Sequence, residues 1–419
     1  MRHYQAVIIG GGSAGLSAAV TLKLNGIEDI VVLEKDKEPG GILEQCIHNG
    51  FGLQTFKEQL SGPAYAERYV RQAEELNVEI KLNTMVTKLT ADRTVEYTSS
   101  EEGIVTISAD VIILAVGCYE RSRGAINISG TRCAGVYTAG QAQRYLNIEG
   151  YMVGKKVFIL GSGDIGLIMA RRMTLEGAKV YGVAEIMPYS NGLPRNIRQC
   201  LEDFDIPLYL SHTVTKTFGK DRLERIELSQ VDDHMNPIPG TEQYFDVDTL
   251  LLSVGLIPEN HLAEEAGIIM DPSIKGPLVD DSYMTSAPGI FACGNGLHVH
   301  DLVDFVSLQA KRAAEGAARY LKANADRGEP LAVKPGENVL YTVPSSVHPE
   351  DPSENVEFFF RVRKPMDAAV LEVRSGDKVL RSMKKRKLIP SEMERVMITA
   401  KEIAELREEV IVSVKEVLS

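Results

Sequence analysis

Tryptophan is absent from the 419 residues, and aromatic side chains make up only 6% of them. Nucleic-acid bases stack on such rings, so a single-strand nucleic-acid platform is not expected. An excess of positive charge is missing too, since the formal net charge is −12. Backbone phosphates are held by net basic surface, which argues against nucleic acid as the main partner. No apolar run approaches the roughly 20 residues that cross a bilayer, so no integral membrane segment is predicted. The chain starts MRHYQAVIIGGG and runs straight into a strand. That leaves no room for a signal peptide, and a cytoplasmic location is the expectation. Cysteine is sparse as well. Cys46, Cys118, Cys133, Cys200 and Cys293 are scattered with no CxxC pair. Neither a zinc site nor a dithiol is suggested, and no metal is expected. The odd number of thiols in a reducing compartment favours free cysteines.

What is present is periodic. Hydrophobic residues make up 44% and charged residues 25%, enough for sizeable cores in an ordinary water-exposed chain. This length predicts two or three domains. Residues 5–9 read as a buried strand. A glycine turn follows, then a small-residue helix ending at Gly26, then a strand ending at Glu34. Together they make a βαβ unit. A helix is predicted over 63–77 and a strand pair over 78–91. The apolar run 109–117 suits a central parallel strand. Residues 155–186 then repeat the pattern of strand, glycine turn, helix, Gly177, strand and acid. Residues 246–255 repeat the apolar run that ends in glycine. Two such units predict two Rossmann-like domains in an α/β chain. A long helix is expected over 304–325. Beyond Pro330, Pro335 and Pro344 the chain reads as β-rich, with strands in VEFFFRVR, AAVLEVRS and KVLRSM and a hairpin at Ser375-Gly376-Asp377. Thr399 to Glu402 has a capping-box pattern. Periodicity leaves 411–418 open between strand and helix. The expected domains are 1–120 with 256–330, an inserted 121–255, and 335–419.

Two glycine fingerprints carry the chemistry. Gly10-x-Gly12-x-x-Gly15 lies between strand and helix, where backbone N–H groups and a helix N-terminus can cradle a pyrophosphate. Glu34 ends the next strand, where a carboxylate accepts from ribose hydroxyls. The second fingerprint is Gly161-x-Gly163-x-x-Gly166, with Glu185 in the matching place. A carboxylate there repels a 2′-phosphate, so NAD(H) is expected over NADP(H), unless Arg195 or Arg198 compensates.

These features resemble the two-dinucleotide flavoproteins that include the pyridine nucleotide–disulfide reductases. The shared features are the two fingerprints, the strand-end segments Ala115-Val116-Gly117 and Ser253-Val254-Gly255, and GIFACGN at 289–295. The resemblance implies a glutathione-reductase-type fold. It assigns FAD to Gly10, Gly12, Ser13, Ala14, Gly15, Glu34, Lys35, Gly40, Gly41, Ile42, Val86, Ala115, Gly117, Gly294 and Asn295. It assigns NAD to Gly161, Gly163, Asp164, Ile165, Gly166, Glu185 and Gly255. Asn295 stands where that family has an aspartate, which removes one negative charge near the flavin tail. The CxxxxC pair of the disulfide reductases is missing after Gly40-Gly41, and so is the CxxC of the thioredoxin-reductase-like members. Dithiol exchange needs two thiols within bonding reach, so disulfide reduction is rejected. The stretches GGILEQCIHNGFGLQTFKEQLSGPAYAER and GNGLHVHDLVDFVS are similar to flavoproteins found with glycerol-3-phosphate dehydrogenase components. They are also similar to one subunit of opine oxidases, cyanide-forming synthases and dye-linked amino-acid dehydrogenases. The resemblance implies an electron-transfer subunit working with a second flavoprotein dehydrogenase subunit and a small iron–sulfur or cysteine-rich protein.

Several residues admit two readings. His48 is a catalytic candidate beside the flavin, or a loop histidine. Cys46 is a redox thiol or, more in keeping with its isolation, a packed small residue. His298 and His300 form a metal-like pair without a third ligand nearby, and a place near the flavin or at a subunit contact suits them better. The helix starting near Asp301 or Leu302 is placed to aim its N-terminal dipole at the flavin. Residues 361–387 hold 10 basic and 3 acidic side chains. They form a solvated strand face or a docking surface for an acidic partner. Two functional alternatives stay open. One is a stand-alone FAD dehydrogenase or oxidase of a small amine or hydroxy acid. The other is a flavoprotein scaffold whose second site holds a structural nucleotide.

Overall fold

A computed structural model describes residues 1–323, 327–351 and 355–417. The chain forms two compact units, 1–118 with 258–419 and 119–257.

In the first unit, the strands Glu79–Lys81, Ile30–Leu33, Arg2–Ile9 and Gly103–Leu114 lie side by side in parallel. Gly103–Leu114 has 12 residues and serves two neighbours on its far side. Its first half pairs antiparallel with Thr94–Ser99, and its second half pairs parallel with Ile290–Ala292. The second half, Val111 to Leu114, is buried throughout, as its unbroken apolar run requires. Helix Ser13–Leu24 carries Ala14, Ala18 and Ala19 into the core. Helix Val303–Ala323 brings Ala310, Ala313, Ala314 and Ala317 to the same core. Small side chains let these helices approach closely, and Ser17 Oγ donates to Ser307 O across them (2.8 Å).

The same unit holds the β-rich C-terminal piece, which has its own core around Phe358, Phe360, Leu371 and Val412. A five-stranded sheet and a three-stranded sheet form it. Met366–Ser375 and Lys378–Leu388 meet at a two-residue turn, Gly376-Asp377. The open stretch near the C-terminus is a strand, Val410–Glu416. It sits between Leu331–Pro335 and Met366–Ser375, so pairing on both sides decides what periodicity could not. The capping box at Thr399 is present and opens a short helix, Ala400–Ala404.

The second unit is built on a parallel sheet ordered Val136–Thr138, Thr249–Leu252, Lys156–Leu160, Lys179–Glu185, Leu208–Leu210. Helix Asp164–Leu175 packs Leu167, Ala170 and Met173 against it. A second, four-stranded sheet adds a core around Leu223, Ile226 and Leu228. The chain is thus α/β, with two Rossmann-like domains and a C-terminal β domain.

Candidate functional site: two glycine turns

The first glycine turn leaves strand Arg2–Ile9 at Gly10, whose φ of +104° needs glycine. A Cβ on Gly10 would strike Ala115 O, and one on Gly15 would overlap Gly10 O. Those two glycines are demanded by the fold. Gly12 is different. It has φ −77°, and a Cβ there would meet only Gly41 Cα, at 3.9 Å. Nothing in the protein requires a glycine at this point. Gly12 therefore lines open space beside the N-terminus of helix Ser13–Leu24, which has no side-chain cap and no acid in its first turn. Such a helix start attracts an anion.

Three distant segments gather around it. Gly40 N donates to Gly11 O (2.9 Å), and Gly41 lies against Gly12. Ala115 backs Gly10. Gly294 abuts Ala14, and Gly296 abuts Val116 and Gly117. A cradle open at one glycine, with uncapped N–H donors, fits the pyrophosphate of a dinucleotide. Gly10, Gly12 and Gly15, with Gly40, Gly41 and Gly294, are the residues that would hold FAD. Three other assigned residues differ in their surroundings. Val86 is buried in the core, Ile42 is exposed, and Lys35 points to solvent beside Asp36.

Glu34 has a role that sequence reasoning missed. Its carboxylate is buried and accepts from Gly11 N (2.6 Å) and Asp36 N (2.8 Å). It ties the glycine turn to its own strand end. Each oxygen keeps a second lone pair able to accept from a ribose hydroxyl.

The second turn repeats this design with substitutions. Glu185 is buried and accepts from Ser162 N (3.0 Å), Ser162 Oγ (2.7 Å) and Met187 N (3.0 Å). Ser253 stands where the first unit has Ala115. Its Oγ accepts from Gly166 N (3.0 Å) and lies 3.2 Å from the place a Cβ of Gly163 would take. Asp164 puts a negative charge in the first turn of its helix. That carboxylate accepts from Leu193 N (2.9 Å) and Asn196 Nδ2 (2.7 Å). Asn191 N donates to Ser162 Oγ (2.9 Å), so residues 191–196 are fastened to the glycine turn. Ile165 is half-buried in the helix, while Gly255 has φ +107° and open space around it. Arg195 and Arg198 are exposed.

His48 is half-buried; its Nδ1 lies 3.2 Å from Asn49 O and its ring 5.0 Å from Phe51. Those contacts suit a loop histidine. Burial pushes the Cys46 thiol up to about 12, which keeps it protonated at neutral pH and leaves little thiolate for redox chemistry. His298 and His300 are buried with ring centroids 4.3 Å apart, so their rings cannot make a subunit contact. No third metal-ligating side chain joins them among the described residues. Asn295 Oδ1 accepts from His300 N (3.0 Å). The long helix starts at Val303, and Asp304 in its first turn was not anticipated. Its carboxylate accepts from Gly52 N (3.0 Å), Gln54 N (3.0 Å) and Thr55 N (2.7 Å), pinning the loop after His48.

The basic stretch 361–387 loses most of its apparent charge. Arg361 pairs with Asp301, Lys364 with Glu416, Lys378 with Glu405, Arg381 with Glu402 and Lys385 with Glu394. Lys384, Arg386 and Lys387 stay exposed on the edge strand Lys378–Leu388. Exposed cations on an edge also deter unwanted strand pairing, so the solvated-face reading is the better supported.

Residues 4–317 match the family described as Pyridine nucleotide-disulphide oxidoreductase. The chain is 24% identical over 328 residues to the Hydrogen cyanide synthase subunit HcnB of Pseudomonas protegens, covering 74% of this chain and 67% of that one. It is 27% identical over 355 residues to the Glutamate synthase [NADPH] small chain of Escherichia coli, covering 76% and 69%. It is 23% identical over 315 residues to one of the opine oxidase subunits of Agrobacterium tumefaciens, covering 70% and 61%. Among solved structures, thioredoxin reductase of T. acidophilum has a similar fold, with a TM-score of 0.62, 22% identity, and coverage of 76% of this chain and 98% of that one. No helix among the described residues is long and apolar enough to cross a membrane. The family match spans well over half of the chain, which therefore belongs to the pyridine nucleotide-disulphide oxidoreductases as an FAD-dependent oxidoreductase with two dinucleotide-binding domains.

Proposed function

We propose that the protein exchanges hydride between NAD(H) and FAD and serves as the electron-transfer subunit of a multi-subunit dehydrogenase. When bound, the two cofactors supply the hydride chemistry; the chain supplies position and electrostatics. The observation that carries the reading is the contrast between an open, uncapped cradle at Gly12 and the lack of any dithiol. The five cysteines form no disulfide, and the thiol after Gly40-Gly41 is held protonated by burial. Electrons therefore have no acceptor within the chain and pass to another protein. A second flavoprotein subunit and a small iron–sulfur or cysteine-rich protein suit that role. The subunit nature of the cyanide synthase, glutamate synthase and opine oxidase relatives supports it. Glycerol 3-phosphate or an amino acid or opine is the substrate class expected for the whole complex.

At the first turn, Gly10, Gly12 and Gly15 admit the pyrophosphate and Glu34 holds the turn in shape. His48 is the side chain in its loop able to exchange a proton or bond a flavin. At the second turn, the buried carboxylate of Glu185 disfavours a 2′-phosphate, so NAD(H) is the partner rather than NADP(H). A second reading, in which that turn holds a structural nucleotide, rests on the strand–turn–helix frame and buried acid that it shares with the first turn. An anaerobic titration of the purified yellow protein with NADH decides between them. Rapid bleaching of the flavin band, with NADPH slower, is the expected result. A flavin that NADH leaves unbleached excludes the hydride reading. Equal rates with NADPH would remove the specificity role of Glu185.

A further inference from the structure

Beside Gly294 lies a polar cluster that the hydride chemistry does not use. Gln309, His298 and His300 are at most 8% exposed, and the two imidazoles pack against Phe359 and Tyr341. The hydrogen bonds of the three residues determine one another. Gly294 N donates to Gln309 Oε1 (2.9 Å), and a backbone N–H can only donate. That fixes which end of the amide is oxygen. His300 Nε2 also meets Oε1 (3.0 Å), so His300 carries its proton on Nε2. Gln309 Nε2 donates to His298 Nε2 (2.7 Å), so neutral His298 carries its proton on Nδ1. The remaining Nδ1 atoms of both rings are buried without a partner. Burial holds both imidazoles neutral, His300 with a pKa lowered to about 4.

We propose that Gln309, clamped between His298 and His300, is a positioning residue that holds the Gly294–Asn295 turn in place for the flavin tail. A flipped amide would set its NH2 group against Gly294 N–H, so the clamp has one low-energy state. Asn295 is tied in as well, through His300 N. The C-terminal β domain braces the cluster, because Arg361 bonds Asp301 and the Val299 carbonyl. The inference rests on the assignment of FAD to the first glycine turn.

The test uses the protein as purified, with flavin bound. Gln309→Met keeps the volume of the side chain and removes its bonds. FAD release on dilution, followed by flavin fluorescence, should be at least about tenfold faster in Gln309→Met, and faster by a smaller factor in His300→Phe. The thermal midpoint of Gln309→Met should fall by only a few degrees. An unchanged release rate in folded Gln309→Met overturns the positioning role and leaves the FAD assignment intact. A wild-type protein that binds no FAD overturns both. Nitrogen-15 spectra of the wild-type histidines keep the test open if Gln309→Met does not fold. They should show His298 protonated on Nδ1 and His300 on Nε2, and the reverse pattern overturns the clamp.

Discussion

The two glycine turns share a fingerprint, a buried acid and a strand–turn–helix frame, yet they are not equally ready for an anion. The first opens at Gly12 onto a helix start with no cap and no acid. The second has Asp164 in the helix's first turn, Ser253 Oγ on Gly166 N, and residues 191–196 fastened across it. A fingerprint specifies where a pyrophosphate can lie. Its neighbours decide how strongly one is held. This difference suits a resident cofactor at the first turn and an exchanging one at the second.

The largest effect should come from separating the glycines by cause. Gly12→Val should fold, since its Cβ has room, but lose one or two charge-assisted bonds to FAD, each about 1.5–3 kcal/mol. Flavin content per protein after purification should then fall at least about tenfold, with circular dichroism unchanged. Gly15→Val should instead fail to fold, because its Cβ overlaps Gly10 O. Equal behaviour of the two variants would break the comparison.

The acids come next. Glu34→Gln leaves one of two N–H donors, that of Gly11 or of Asp36, facing an amide NH2, and should cost about 1–3 kcal/mol in denaturant unfolding. Glu185→Gln should cost as much or more, because Ser162 offers two donors. A neutral result at either position would show that the acid serves only the ribose.

Asp164→Asn should sharpen the contrast more gently. Removing a charge from a helix's first turn changes anion affinity by about 0.3–1 kcal/mol, and NADH should bind roughly two- to fivefold tighter. Weaker binding would mean that the carboxylate helps to hold the nucleotide. Cys46→Ser should have the smallest effect, with NADH-dependent flavin reduction within about twofold of the parent, given a thiol with a pKa of about 12. A large loss would restore a redox role for that thiol.

Both βαβ units were legible in the sequence because glycine turns and apolar runs are local signals. Gly10, Gly12 and Gly15, Gly40 and Gly41, and Gly294 do gather in space, and the glycines themselves carry that information. Side chains whose partners lie far along the chain were not legible. Ser253 reaches Gly166 across 87 residues, and Asp304 reaches Thr55 across 249. Gln309 is only 15 residues from Gly294, but a glutamine inside a helix gives no local sign of its target. The pairing of the basic stretch was not legible for the same reason. Four of its neutralising acids, Glu394, Glu402, Glu405 and Glu416, lie beyond it on other elements of the β domain, and Asp301 lies 60 residues before Arg361.

The central claim is that each turn serves its own dinucleotide. Equilibrium titration of FAD and of NADH into Gly12→Val and Gly163→Val tests it most directly. A crossover is expected, with FAD binding lost only in Gly12→Val and NADH binding lost only in Gly163→Val. Loss of FAD in Gly163→Val, or of NADH in Gly12→Val with Gly163→Val unaffected, would contradict it.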